Sequence, residues 1–127
     1  MSARSKARKR ALDLIFAAEA QGLSAAALLE AGEAPANEYT AELVRGVQDK
    51  RDELDSLISA NAEGWSLERM PAVDRNVLRL ATYEILFVED VPNAVAISEA
   101  LHLVRDLSTD ESPAFVNGVL ASVARGR

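Results

Sequence analysis

The stretch from Met70 to Val88, MPAVDRNVLRLATYEILFV, constrains the fold more than any other part of the chain. At 3.6 residues per turn, Val73, Val77, Leu78, Leu80, Ala81, Ile85 and Phe87 cover roughly two thirds of a helix circumference, which is stable only where other helices wrap it. The polar remainder, Arg75, Asn76, Arg79 and Thr82, forms one narrow stripe. Pro71 suits the first helical turn, where a missing N–H is no loss, and Pro92 halts the chain after Glu89, Asp90 and Val91. The segment therefore predicts the hub of an all-α bundle.

The flanking segments have the narrower apolar stripes of helices that pack on such a hub. A first helix is expected from about Ala3 to Ala20, ending at Gly22, with Ala11, Leu12, Leu14, Ile15 and Ala18 inward and Lys6, Lys9, Arg10 and Asp13 outward. Phe16 falls about 130° from the centre of the inward face, so its ring either covers a neighbouring loop or meets a partner. Ser24 caps a short helix over Ala25 to Ala31, which Gly32, Glu33, Ala34 and Pro35 terminate. Asn37 caps a long helix of about 25 residues, with Tyr39, Leu43, Val47, Leu54, Leu57 and Ile58 inward and a charged run from Gln48 to Glu53 in solvent. Gly46 inside it costs about 1 kcal/mol relative to alanine, which a close helix crossing would justify.

Gly64, Trp65 and Ser66 break the pattern, and one short turn follows before the hub. Trp65, the only tryptophan, is expected to plug the base of the bundle. After the hub, Asp90 caps a helix from about Val91 to Leu107 that buries Ala96, Ile97, Ala100, Leu101, Leu103, Val104 and Leu107 and leaves His102 outside. Ser112 and Pro113 open the last helix as cap and first residue, and Phe115, Val116, Val119, Leu120 and Val123 form its buried side. Asn117 and Gly118 sit on its outer side. An Asn–Gly pair is poor for helix stability, which is explained either by simple helix packing or by close approach of another group. Seven helical segments on short connections predict a single domain spanning residues 1–127.

Enzymatic sites are not visible. Without cysteine there is no thiolate metal site or cysteine nucleophile, and one histidine leaves little for a metal centre, so neither catalysis nor a cofactor is expected. Glu84 lies inside the apolar arc of the hub and is expected to pair with an arginine or to cap a backbone group. Asp74 stands in the first helical turn, where the macrodipole favours an anion by about 0.3–1 kcal/mol, and is expected to be open to a partner's arginine. No stretch reaches the roughly 18 apolar residues of a membrane span, so the expected location is cytoplasmic.

Charge supplies the clearest functional signal. Net charge is −6, yet Arg4, Lys6, Arg8, Lys9 and Arg10 place five of the fourteen cations in the first ten residues without a single acid. Cations at a helix N-terminus oppose its partial positive charge and need a reason. Phosphates supply one, through counterion release. Arg8 shares the side of the core face, so it either joins that phosphate surface or folds back onto a glutamate or a carbonyl. Base reading needs aromatic or amide groups nearby, and Phe115 and Asn117 qualify if the last helix packs beside the first.

These residues resemble the bacterial transcription antitermination factors of the NusB family. The matching elements are RSKARKRALDLIF, AVDRNVLRLATYEIL, DVPNAVAISEALHLVRDLS and STDESPAFVNGVL; the resemblance extends over essentially the whole chain, and its specific part is the last sixty residues. The resemblance implies a NusB-like fold of two packed helical subdomains. It also implies a non-catalytic role in which the protein pairs with NusE, a ribosomal small-subunit protein. Together they hold the boxA element of nascent ribosomal RNA against the RNA polymerase elongation complex. Its RNA-contacting positions fall on Arg4, Lys6, Arg8, Lys9 and Arg10 and on Asp110, Glu111, Ser112, Phe115 and Asn117; its NusE-facing positions fall on Phe16 and Asp74. The basic opening mixes Lys with Arg, a loss where bidentate phosphate contact is needed, and Glu111 repels phosphate. RNA affinity is therefore expected to be weak until NusE adds its share. The alternatives are a protein adaptor or homodimer, and an accessory module for ribosomal RNA methylation, since a related fold forms part of a ribosomal RNA cytosine methyltransferase.

Overall fold

A computed structural model describes residues 2–32 and 37–126, so the termination expected at Glu33, Ala34 and Pro35 lies outside the described residues. The elements are α1 (Ala3–Gln21), α2 (Ala25–Glu30), α3 (Glu38–Asp49), α4 (Arg51–Asn61), a 3-10 turn (Leu67–Arg69), α5 (Ala72–Phe87), α6 (Asn93–Leu107) and α7 (Ser112–Arg125). The all-helical class and the hub role of α5 both hold. α5 packs on α1, α3, α4, α6 and α7, and α2 closes against α1 and α3. One layer is thus α1, α2 and α3, the other α4, α6 and α7, with α5 shared between them. No helix among the described residues is long and apolar enough to cross a membrane.

Local chemistry explains most boundaries. Ser2 caps α1 by accepting from the Ser5 N–H, and Gly22 ends it at φ 68°, a left-handed conformation that favours glycine. Asn37 caps α3 through the N–H groups of Tyr39 and Thr40. Asp90 does not cap α6; Pro92 holds that position, and the Asp90 carboxylate pairs with Arg4 instead. Pro71 likewise sits one residue before α5 rather than in its first turn.

The long helix expected from Asn37 is two. It bends at Lys50 (φ −103°, ψ 10°), although the N–H of Leu54 still bonds the Lys50 carbonyl. Both halves touch α5 but otherwise serve different neighbours, α3 lying on α1 and α2 and α4 on α7. Gly46 has the close crossing its position suggested, because a β-carbon there would overlap the Tyr83 ring. Phe87 was expected inside the apolar arc but stands at the surface, where its ring meets Tyr83 at 5.3 Å.

The polar stripe of α5 is buried rather than solvated. Arg79 donates to Asp55 at 2.7 Å, to Glu19 at 2.7 Å and to the Asn76 side chain at 3.0 Å, and Arg75 donates to Glu19 and to the carbonyls of Leu67 and Met70. A wrapped helix can carry such charged and amide groups because they find partners; the buried Thr82 hydroxyl alone in the stripe has none among the described residues. Burial by itself would raise the Glu19 carboxyl, but the guanidinium groups of Arg75 and Arg79 outweigh it and hold Glu19 at about 2, below the ordinary 4.5. A depressed carboxylate contributes stability that is complete above its unfolded value and lost as pH falls through the folded one. Thermal stability should therefore drop between about pH 4.5 and pH 2, and Glu19→Gln should flatten the profile there. An unchanged acid limb in that variant would mean other carboxylates control it.

Candidate nucleic-acid interface

α1 divides its five N-terminal cations between two faces. Positions 4 and 8 share one side of a helix, and positions 6, 9 and 10 the other. Arg8 is 3% exposed. Its Nε donates to both oxygens of Glu84 at 2.9 and 3.0 Å, and its Nη1 to Glu99 at 2.9 Å. Arg4 forks onto Asp90 at 3.1 and 3.3 Å, with its guanidinium 4.3 Å from the centroid of the Tyr39 ring. Tyr39 in turn donates its hydroxyl to Glu84, which is 1% exposed. Burial pushes the Glu84 carboxyl up, against the pull of Tyr39 and Arg8.

Glu84 thus has the arginine its phase implied, and that arginine is Arg8. As an open phosphate contact Arg8 is a correction: its charge is spent inside the fold, where removal would leave two carboxylates without their cation. The outward trio differs. Lys6 and Arg10 are exposed, and among the described residues no ion pair holds either. Lys9 reaches Asp13 at 2.8 Å in an exposed i,i+4 pair worth roughly 0.3–0.5 kcal/mol, easily exchanged for a phosphate.

The second expected surface gathers at the start of α7. Asp110, Glu111 and Asn117 are exposed, Phe115 is half-buried, and Ser112 is buried. Ser112 is a correction too. Rather than capping α7 toward solvent it belongs to the first helical residue, and its hydroxyl donates to Asp74 at 2.8 Å. Ser108 donates to the other Asp74 oxygen at 2.6 Å. Asp74, expected to stand open to a partner, is 2% exposed and pins the α6–α7 turn from below. Its role is to position that turn.

Trp65 is the largest miss. It does not plug the bundle; it stands 52% exposed with its ring centroid 6.1 Å from that of Phe115, the planes inclined at 60°. A tryptophan between a glycine and a serine in a helix-free stretch carried the signal, since no periodic face holds it inward. Phe16 is 40% exposed, as its phase required, and His102 is exposed as expected. Gly118 has open space where a side chain would go, so no neighbouring helix of this chain accounts for the Asn117–Gly118 pair.

The first and last helices are not side by side. α7 packs chiefly on α4, α5 and α6, whereas α1 packs on α2, α3 and α5. Arg8 meets α5 at Glu84 and Ser112 meets it at Asp74, ten residues away and so about 15 Å along the helix axis. α6 bridges the gap, with Glu99 beside Arg8 and Ser108 beside Asp74, and it exposes His102, Arg105 and Asp106 between them. Any track joining the two surfaces runs over α6. Among the described residues no group of three or more His, Cys, Asp or Glu could hold a metal ion.

Comparison with known proteins agrees with this architecture. The NusB family profile matches residues 5–125. The chain is 59% identical over 131 residues to the transcription antitermination protein NusB of a Nocardioides species, covering 100% of this chain and 97% of that protein. The solved structure of T. maritima NusB superposes with a TM-score of 0.90 at 37% identity, covering 98% of this chain and 92% of the other. A structure described as antitermination factors NusB and NusE in complex with dsRNA superposes at 0.81 with 24% identity, covering 98% and 97%, and at that identity the likeness concerns the fold alone.

Proposed function

Because the chain belongs to the NusB family, we propose that it is a transcription antitermination factor that joins NusE on the boxA element of nascent ribosomal RNA. It then tethers that element to the RNA polymerase elongation complex. All 127 residues act as one non-catalytic RNA-binding domain in the cytoplasm. The observation that carries the reading is the unpaired cationic face of Lys6 and Arg10, joined by Lys9, on a chain whose net charge is −6. From there the strand crosses α6 past the exposed His102 and Arg105 to Phe115 and Asn117. Asp110 and Glu111 repel phosphate, so the strand turns base edges toward them, where a carboxylate accepts from an amino group. Phe16, on α1 and away from this path, takes NusE.

With Arg8 withdrawn, Arg4, Lys6, Lys9 and Arg10 of α1 supply a log–log salt slope of roughly −3 at the steepest, and each further cation that meets a phosphate, such as Arg105, adds about −0.7. Titrating labelled boxA RNA at several salt concentrations, with and without NusE, tests the assignment. Lys6→Gln with Arg10→Gln should weaken RNA binding and shallow the slope by roughly 1.4, leaving NusE binding alone. Phe16→Ala should do the opposite. Equal damage to both activities by both variants would show that the surfaces are wrongly divided.

A further inference from the structure

The rings of Trp65 and Phe115 stand at the mouth of a cleft of about 520 Å³, whose other walls include Arg69, Met70, Pro71 and Glu111. Leaving the only tryptophan half-exposed forgoes much of the apolar burial it offers, and such exposure beside a second aromatic marks a contact surface. The floor is rigid. Asp74 there accepts from Ser108 on one oxygen and Ser112 on the other, which ties its carboxylate to the α6–α7 turn. Arg69 on the rim is exposed, and among the described residues no ion pair holds it.

We infer that this cleft takes one unstacked base of the bound RNA strand, stacked on Trp65 and Phe115, with Arg69 fixing the neighbouring phosphate or the base edge. The inference rests on the RNA-binding reading and extends it to two residues, Trp65 and Arg69, at the far end of the α6 path. Two features favour a base over a protein side chain. The exposed Trp65 ring offers a flat face on which a base stacks, with Phe115 abutting that ring edge-on at 60°. A rim offering a guanidinium fork and a carboxylate also matches the mixed donor and acceptor edge of a base, whereas an apolar side chain would leave both unused.

Because the chain has a single tryptophan, its emission reports the cleft alone. Adding a single-stranded boxA oligonucleotide to the full-length protein should quench that emission. Trp65→Leu should weaken binding roughly five- to 150-fold, the range for one base–aromatic stack, while Trp65→Phe should retain most of the affinity. In a scan of abasic substitutions, one position should weaken the wild type yet make no further difference in Trp65→Leu. Melting curves check that each variant is folded, and the emission and abasic measurements on wild type stand even if Trp65→Leu is not.

RNA binding with unchanged emission and no loss in Trp65→Leu would overturn the cleft while leaving the RNA reading in place. Quenching by NusE alone and not by RNA would make the cleft a protein-docking site and overturn it likewise. No binding by the wild type at any salt concentration would overturn both.

Discussion

Arg8→Ala is expected to lower the unfolding free energy by about 3–5 kcal/mol at neutral pH, a fall in melting temperature on the order of 10–20 °C. The guanidinium sits between Glu84 and Glu99 with almost no solvent contact, so its removal strands a buried carboxylate rather than freeing a surface one. The sign with pH follows from Glu84. Burial already raises its proton affinity, and losing Arg8 raises it further. A carboxyl raised in the folded state adds stability that is present below its ordinary value and lost as pH climbs through the raised one. The gap between variant and wild type should therefore be narrow near pH 4.5 and widen toward neutrality, as read by thermal melts across that range. Were Arg8 a phosphate contact, the variant would keep its melting temperature and lose only RNA affinity.

Asp74→Ala should lower stability by about 3 kcal/mol, since two hydroxyl donors to a buried carboxylate lose their acceptor at once, each such bond contributing roughly 1.5–3 kcal/mol. The damage should concentrate at the α6–α7 turn. Ser108 and Ser112 are both anchored there, and Glu111 and Phe115 follow from their placement. RNA affinity should fall with the turn, while NusE binding through Phe16 persists. Urea unfolding with parallel binding measurements decides the matter. A fully stable Asp74→Ala that has lost NusE alone would restore the open-carboxylate role that the sequence suggested.

Both corrections have the same origin. Asp74 in a first turn and Arg8 on the rim of a core face are ambiguous locally, because one residue's phase does not say what the opposite wall will be. The partners of Arg8 are 76 and 91 residues away and those of Asp74 are 34 and 38 residues away. The exposure of Phe16 follows from its phase because, among the described residues, no helix covers its side of α1. The bend at Lys50 was hidden for a related reason: nothing in the charged run breaks a helix, and only the need to serve two layers does.

By itself, then, the order of residues determined that the chain is all-helical, that α5 with its apolar arc over roughly two thirds of the circumference is the hub, and that the cations crowd the start of α1. These follow from a 3.6-residue period and from chain composition, which need no knowledge of neighbours. Tertiary structure alone decided which cations remain outside, that Trp65 stands beside Phe115, and that α6 separates the two ends of the surface. Those outcomes depend on which groups meet across the fold, and a buried charge must be paired wherever its partner happens to lie.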